Sequence, residues 1–167
     1  IKSSAFRNCS QFTEVNLPSS LESIETYAFQ ACTSITELTV PDSVTFIGKG
    51  AFNGMTSLEK LTVPFVGSSR TATSINGVLG FVFDYTSEES YAYFSYAGHT
   101  FAPIDAYPNT YKAVWQYSKY DVYNSYGGHY FLTSYYYYIP DSLRSVTVTD
   151  ATMISIAAFQ NCSNLTE

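Results

Sequence analysis

A side-chain pattern that returns every 23 residues leaves this chain very few architectures to choose from. Ile24, Ala28, Phe29, Cys32, Ile35, Leu38, Val40 and Pro41 recur as Ile47, Ala51, Phe52, Met55, Leu58, Leu61, Val63 and Pro64. Read backwards, the frame runs through Ile1, Ala5, Phe6, Cys9, Phe12, Val15, Leu17 and Pro18. It returns near the end as Ile154, Ala158, Phe159, Cys162 and Leu165. A fixed period of this size marks stacked repeats, each burying its apolar side against the next. The expected fold is mainly β: a solenoid with a parallel strand ladder, interrupted by a Tyr-rich β-type insertion.

Within each repeat the strand is the LxxLxL segment: Phe12, Val15 and Leu17; Ile35, Leu38 and Val40; Leu58, Leu61 and Val63. Its last two apolar positions are two apart and so share one face of an extended chain. Pro18, Pro41 and Pro64 follow at once and end the strand, because proline has no amide proton to donate. Leu21 with Ile24, and Val44 with Ile47, are expected on the opposite wall. Phe6, Phe29, Phe52 and Phe159 are the expected core aromatics, each beside a small alanine that permits close packing. The outward residues of the strands (Glu14, Asn16, Glu37, Thr39, Lys60, Thr62, Ser145 and Thr147) carry no aromatic anchor and read as a solvated face.

Both ends cut the repeat partway through, so the chain reads as a slice of a longer array. Three segments are expected: repeats over 1–64, a Tyr-rich inserted subdomain over 65–139, and a continuing repeat over 140–167. In the last of these Leu143, Val146 and Val148 take the strand positions; an alternative register sets Leu143 against Val44. Every one of the 16 tyrosines except Tyr27 lies in the insertion, with the single Trp115. Gly77–Tyr85 and Tyr91–Tyr96 read as strands, being rich in aromatic and β-branched residues. Asp121–Ile139 reads as a hairpin turning at Gly127-Gly128, a pair that tolerates positive φ. Tyr111, Val114, Trp115 and Ser118 have helical spacing, which favours a helix over Tyr111–Tyr120 although β-formers dominate there.

Cys9, Cys32 and Cys162 share one repeat position, and Met55 fills it in the third copy. A slot shared with methionine belongs to packing, so all three are expected as free core thiols rather than as a disulfide framework or metal site, with a Cys9–Cys32 bridge as the alternative that stacked positions leave open. His99 and His129, with Asp105 or Asp121, have no fixed spacing and carry no metal or acid–base assignment. No catalytic constellation or cofactor motif emerges, and a non-enzymatic role follows. The net charge of −6 argues against nucleic acid, which demands clustered Lys and Arg. No apolar run is long enough to insert in a membrane.

The element spanning Phe and Cys three apart (Phe6/Cys9, Phe29/Cys32, Phe159/Cys162), followed by SITELTVP (Ser34–Pro41) and SLEKLTVP (Ser57–Pro64), resembles the BspA-like leucine-rich repeats, also called the Treponema pallidum type. The segments flanking the insertion, Pro64–Arg70 and Tyr135–Thr152, resemble the borders of an insertion in some gut-bacterial members. The resemblance implies a secreted or cell-surface, extracellular protein that adheres to host or neighbouring-cell proteins or glycans. It supplies no catalytic residues. The large insertion departs from the plain family pattern.

Tyrosine mixed with Ser, Gly and Asn is a composition suited to recognition, since each ring offers a rigid surface and one hydroxyl. Tyr91, Tyr93, Tyr96, Trp115, Tyr123, Tyr126, Tyr130, Tyr135 and Tyr137 are the candidate contact residues. The same rings would also serve as the core of a small inserted β-subdomain. The other functional reading is a structural spacer or stalk of a larger surface protein, or a self-assembling array joined end to end through its ladder edges.

Overall fold

The computed structural model describes residues 1–92, 111–123 and 129–167, with side chains described over 1–84 and 137–167. The LxxLxL segments of Ile35–Val40, Leu58–Val63 and Leu143–Val148 pair in parallel and in the register of the repeat, whereas that of Phe12, Val15 and Leu17, expected as a strand, forms none. Strands β1 (Ser23–Ile24) and β3 (Phe46–Ile47) form one short ladder, with Ile24 opposite Ile47. Strands β2 (Glu37–Thr39), β4 (Lys60–Val63) and β8 (Ser145–Val148) form a second, in the order β2-β4-β8. Leu38 faces Leu61, which in turn faces Val146, and Val63 faces Val148. Leu143 therefore stands at the level of Leu58, and the strand register holds over the alternative one.

The turns between these walls stack as closely as the strands. Phe6 N donates to Ala28 O at 2.8 Å, Phe29 N to Ala51 O at 2.9 Å, and Phe52 N to Val82 O at 2.8 Å. The rings follow the backbone: Phe6 and Phe29 stack at 5.2 Å between centroids, and Phe29 and Phe52 lie at 6.4 Å. Phe29 and Phe52 are fully buried. Phe6 and Phe159 are half-buried, and Phe12 and Ile154 are 39% and 54% exposed. Phe6, Phe12, Phe159 and Ile154 belong to the repeats at the two ends of the described stack.

Two positions in each turn hold a positive φ: Ser4, Tyr27, Gly50 and Ala157 before the Ala-Phe pair, and Asn8, Ala31, Gly54 and Asn161 after it. L-residues other than Gly and Asn are disfavoured there by a clash between Cβ and carbonyl, worth about 1–2 kcal/mol. Glycine relieves that clash but costs roughly 0.5–1 kcal/mol more chain entropy. Ala31→Gly is accordingly expected to stabilise the chain by up to about 1 kcal/mol, seen as a higher urea midpoint.

The sequence frame stops at Pro64, whereas the packing does not. Phe65, Val66, Val78, Leu79, Phe81, Val82 and Phe83 all join the buried core of the repeats. Phe83 meets Phe52 edge-on at 6.4 Å and extends the aromatic ladder by one rung. The next rung down is joined by Leu79 N, which donates to Ala158 O. Gly77–Tyr85, expected as a strand, is instead a 3₁₀ helix over Leu79–Phe83. All five of its residues are buried, so no solvated face exists to be matched by alternation.

The tyrosine-rich segment forms a separate antiparallel sheet of β5 (Tyr85–Ala92), β7 (His129–Pro140) and β6 (Tyr111–Tyr123), in that order. The helix expected over Tyr111–Tyr120 is replaced by β6; its residues pair with β7 from Tyr111↔Pro140 to Tyr123↔His129, with an irregularity between Trp115 and Tyr117. Pairing partners outside the segment outweigh an accidental helical spacing among strong β-formers. The hairpin arms run as expected, while its Gly127-Gly128 turn lies outside the described residues. Of the expected Tyr91–Tyr96 strand, Tyr91 and Ala92 end β5 and the remainder lies outside the described residues.

Candidate functional site

The sheet leaves and rejoins the repeats at one place. Tyr85 and Tyr137 are paired across β5 and β7, so the entering and returning chains lie side by side. Tyr138 N donates to Asp84 O at 3.2 Å, tying the returning strand β7 to the residue before β5. Ile139 and Pro140 line a small cavity with Cys162, at the level where other repeats place the Cys or Met side chain.

Tyr137 is the wedge of this junction. Its ring is fully buried, and its hydroxyl donates to Ile75 O at 3.0 Å. Gly80 passes directly beneath: a Cβ there would stand 2.1 Å from Tyr137 Cβ. Tyr138, beside it, is also buried. Tyr137 must therefore be withdrawn from the contact set. Its burial against the repeat core leaves no ring surface for a partner.

The other contact candidates divide by position in the sheet. Tyr91 lies in β5, Trp115 and Tyr123 in β6, and Tyr130 and Tyr135 in β7. The register sets Tyr130 opposite both Ala92 and Val122, and Tyr135 opposite Ser87 and Tyr117. Tyr93, Tyr96 and Tyr126 lie outside the described residues, as do His99 and Asp105. One sheet thus gathers five of the candidates that are far apart in sequence.

Arg70 clasps the repeats across the excursion. Its Nε and Nη2 donate to Asp150 Oδ2 at 2.9 and 2.5 Å, while Nη1 and Nη2 donate to Val44 O and Asp42 O. The guanidinium carbon also sits 5.3 Å from the centroid of Phe65. The planar fork suits this many acceptors at once, where a lysine would satisfy fewer. Arg70 falls in the flanking PFVGSSR segment, so that motif is explained by closure of the core. Sequence reading did not single out Arg70 or Asp84. A lone arginine in a weakly charged segment was the available signal for the first.

The outer face of β2 and β4 is occupied with its own pairing. Lys60 Nζ donates to Glu37 Oε1 at 2.8 Å, and this hydrogen bond, with the charge of Glu37, raises the lysine above its ordinary value. At the far end of the chain Glu25 accepts from Lys2 and Ser3. The Lys2 hydrogen bond first, then those of Ser3, hold its carboxyl below the usual range.

The cysteine column lies where the repeat predicts. Cys9, Cys32 and Cys162 are free thiols, and Cys32 Sγ donates to Phe6 O at 3.1 Å. Burial, then the neighbouring Cys9, pushes the Cys32 thiol up. A raised folded-state value favours the neutral thiol. Its contribution to stability is present below the unfolded thiol value and is lost as pH rises through the folded one. Iodoacetamide at mildly alkaline pH is expected to label Cys9 and Cys162 before Cys32, read by peptide mass spectrometry. Equal labelling of Cys32 in the folded chain would contradict its burial.

Among the described residues no group of three His, Cys, Asp or Glu side chains is placed to hold a metal ion, and no helix is long and apolar enough to cross a membrane. Comparison with known proteins agrees with the fold. The family model described as "BspA type Leucine rich repeat region (6 copies)" matches residues 1–77. That match runs past Pro64 into the segment whose burial extends the ladder. No curated protein and no solved structure matches the chain.

Proposed function

We propose, from the membership of residues 1–77 in the BspA-type leucine-rich repeats, that this chain is a non-enzymatic binding segment of a secreted or cell-surface protein. Its repeats form a solenoid that presents the Tyr-rich sheet to a protein or glycan on a host or neighbouring cell. One observation carries the reading: every tyrosine but Tyr27 falls within residues 85–138, and the described strands of that segment form a sheet of their own that pairs with none of the repeat strands. Phe83 and Tyr137 close the repeat core at the root of the sheet. Aromatic side chains dominate binding hot spots because they bury large area at low entropic cost.

The test is a Tyr91→Ser, Tyr123→Ser, Tyr130→Ser triple variant, assayed for retention on a glycan array and on cultured epithelial and bacterial cells. At least a tenfold loss, with an unchanged melting curve, is the expected result. Unchanged retention, or no retention by the parent chain on any surface, would instead favour a spacer that holds other domains away from the envelope. The self-paired Glu37–Lys60 face is the observation behind that second reading, since those charges already satisfy each other. In a spacer, end-to-end association of ladder edges is a further route to assembly.

A further inference from the structure

Two residues at the root of the sheet hold backbone conformations that favour glycine, and a single hydrogen bond joins their side chains. Asp84 has φ 86° and ψ 157°, a region that residues with a Cβ rarely enter. Tyr27 has φ 56°. Tyr27 Oη donates to Asp84 Oδ2 at 2.9 Å, and Lys49 Nζ stands 3.2 Å from Asp84 Oδ1. The three residues come from different repeats, and the carboxylate is mostly shielded, at 20% exposure.

The tyrosine ring has one seat. It lies against Gly50, where an added Cβ would come within 2.4 Å of Tyr27 Cε1. Asp84 in turn sits at the exit itself: β5 begins with the next residue, and Asp84 O accepts from Tyr138 N of the returning strand. A glycine would hold this backbone geometry with less strain. An aspartate persists there when its carboxylate is in use, and here that use is to accept from a phenol and to pair with an ammonium in different repeats.

We propose that Tyr27, Lys49 and Asp84 form a latch that sets the direction in which the Tyr-rich sheet leaves the repeats. The bonds to the carboxylate hold Asp84 in a conformation that the unlatched chain abandons. The repeats themselves do not depend on it, because Phe83 and Tyr137 belong to the buried core and none of the three latch residues does. The device therefore couples the pose of the sheet to a charge cluster without coupling it to the stability of the core. It stands whether or not the sheet is the contact surface.

Asp84→Gly and Tyr27→Phe test it. Glycine removes the strain and the latch together; phenylalanine removes only the phenol donor. Amide exchange at Tyr138 is expected to quicken at least tenfold in Asp84→Gly and severalfold in Tyr27→Phe, while the melting temperature of the repeats is held or raised in the first. Residual dipolar couplings add a readout of direction. In the parent, β4 and β7 amides fit one alignment; in Asp84→Gly the β7 couplings shrink relative to those of β4. Parent-like Tyr138 exchange and β7 couplings in both variants would overturn the proposal. So would a fall in the melting temperature in Asp84→Gly, because the cluster would then be holding the core rather than the exit.

Discussion

Replacing Phe29 with alanine is expected to destabilise the chain by about 3–5 kcal/mol, the range for deleting a buried aromatic whose cavity cannot collapse. Phe29 is the residue with most to lose. Its ring is fully buried, and it is held between Phe6 at 5.2 Å and Phe52 at 6.4 Å. Its amide is bonded to Ala51 O, so the backbone cannot move in to fill the space. Phe6→Ala removes a half-buried ring with one described ladder neighbour and is expected to cost clearly less. Urea denaturation of the two variants checks the order, and equal effects would mean that the rings do not form one ladder.

Gly80→Ala is the second large effect, and it acts by the opposite physics. The new Cβ would meet Tyr137 Cβ at 2.1 Å and Cγ at 2.3 Å, atoms too near the backbone to swing aside. Overpacking of this kind costs about 3 kcal/mol. Tyr137 is the returning strand's anchor, with its hydroxyl on Ile75 O, so the clash falls on the join between sheet and repeats. The expected signature is a lowered melting temperature together with faster amide exchange from Tyr137 to Ile139. Tyr137→Phe, which loses the hydroxyl but keeps the ring, should cost only about 1 kcal/mol.

These two residues mark the border of what the sequence makes legible. Phe29 is visible because a stacked repeat writes its buried positions into the chain at a fixed interval. Any side chain that touches its own counterpart one turn away must recur with that interval. Phe83 occupies the same column, yet the segment from Pro64 to Phe83 is longer than its counterparts. The period therefore breaks although the contact survives. A small residue followed by phenylalanine, Val82-Phe83, was the remaining trace of the Ala-Phe pair. Gly80 and Tyr137 make a contact between distant segments with no periodic record, and no spacing rule finds it.

The tyrosine sheet was partly legible for a related reason. Its composition announces β-structure, and the hairpin arms of β6 and β7 follow from it. The helical spacing of Tyr111, Val114, Trp115 and Ser118 misleads because three aromatic or apolar positions and a serine in so rich a segment match many periods by chance. Tyr137 misleads in another way. Composition distinguishes a tyrosine-rich surface from a polar one, but it does not say which ring turns inward at the root. That choice is made by the space that Gly80 leaves for Tyr137.

The central claim is that the Tyr-rich sheet branches from inside one repeat of a stack that is otherwise continuous. Thr86 and Tyr136 are paired across β5 and β7, close enough for a two-residue turn to bridge them. Replacing residues 87–135 with Asn-Gly should therefore leave the stack intact. The decisive measurement is amide exchange of the shortened chain, followed through the Phe29, Phe52 and Phe83 rungs. Protection at all three within a factor of a few of the parent is the predicted result; loss of protection at Phe52 and Phe83 would show that the sheet is part of the core and contradict the account.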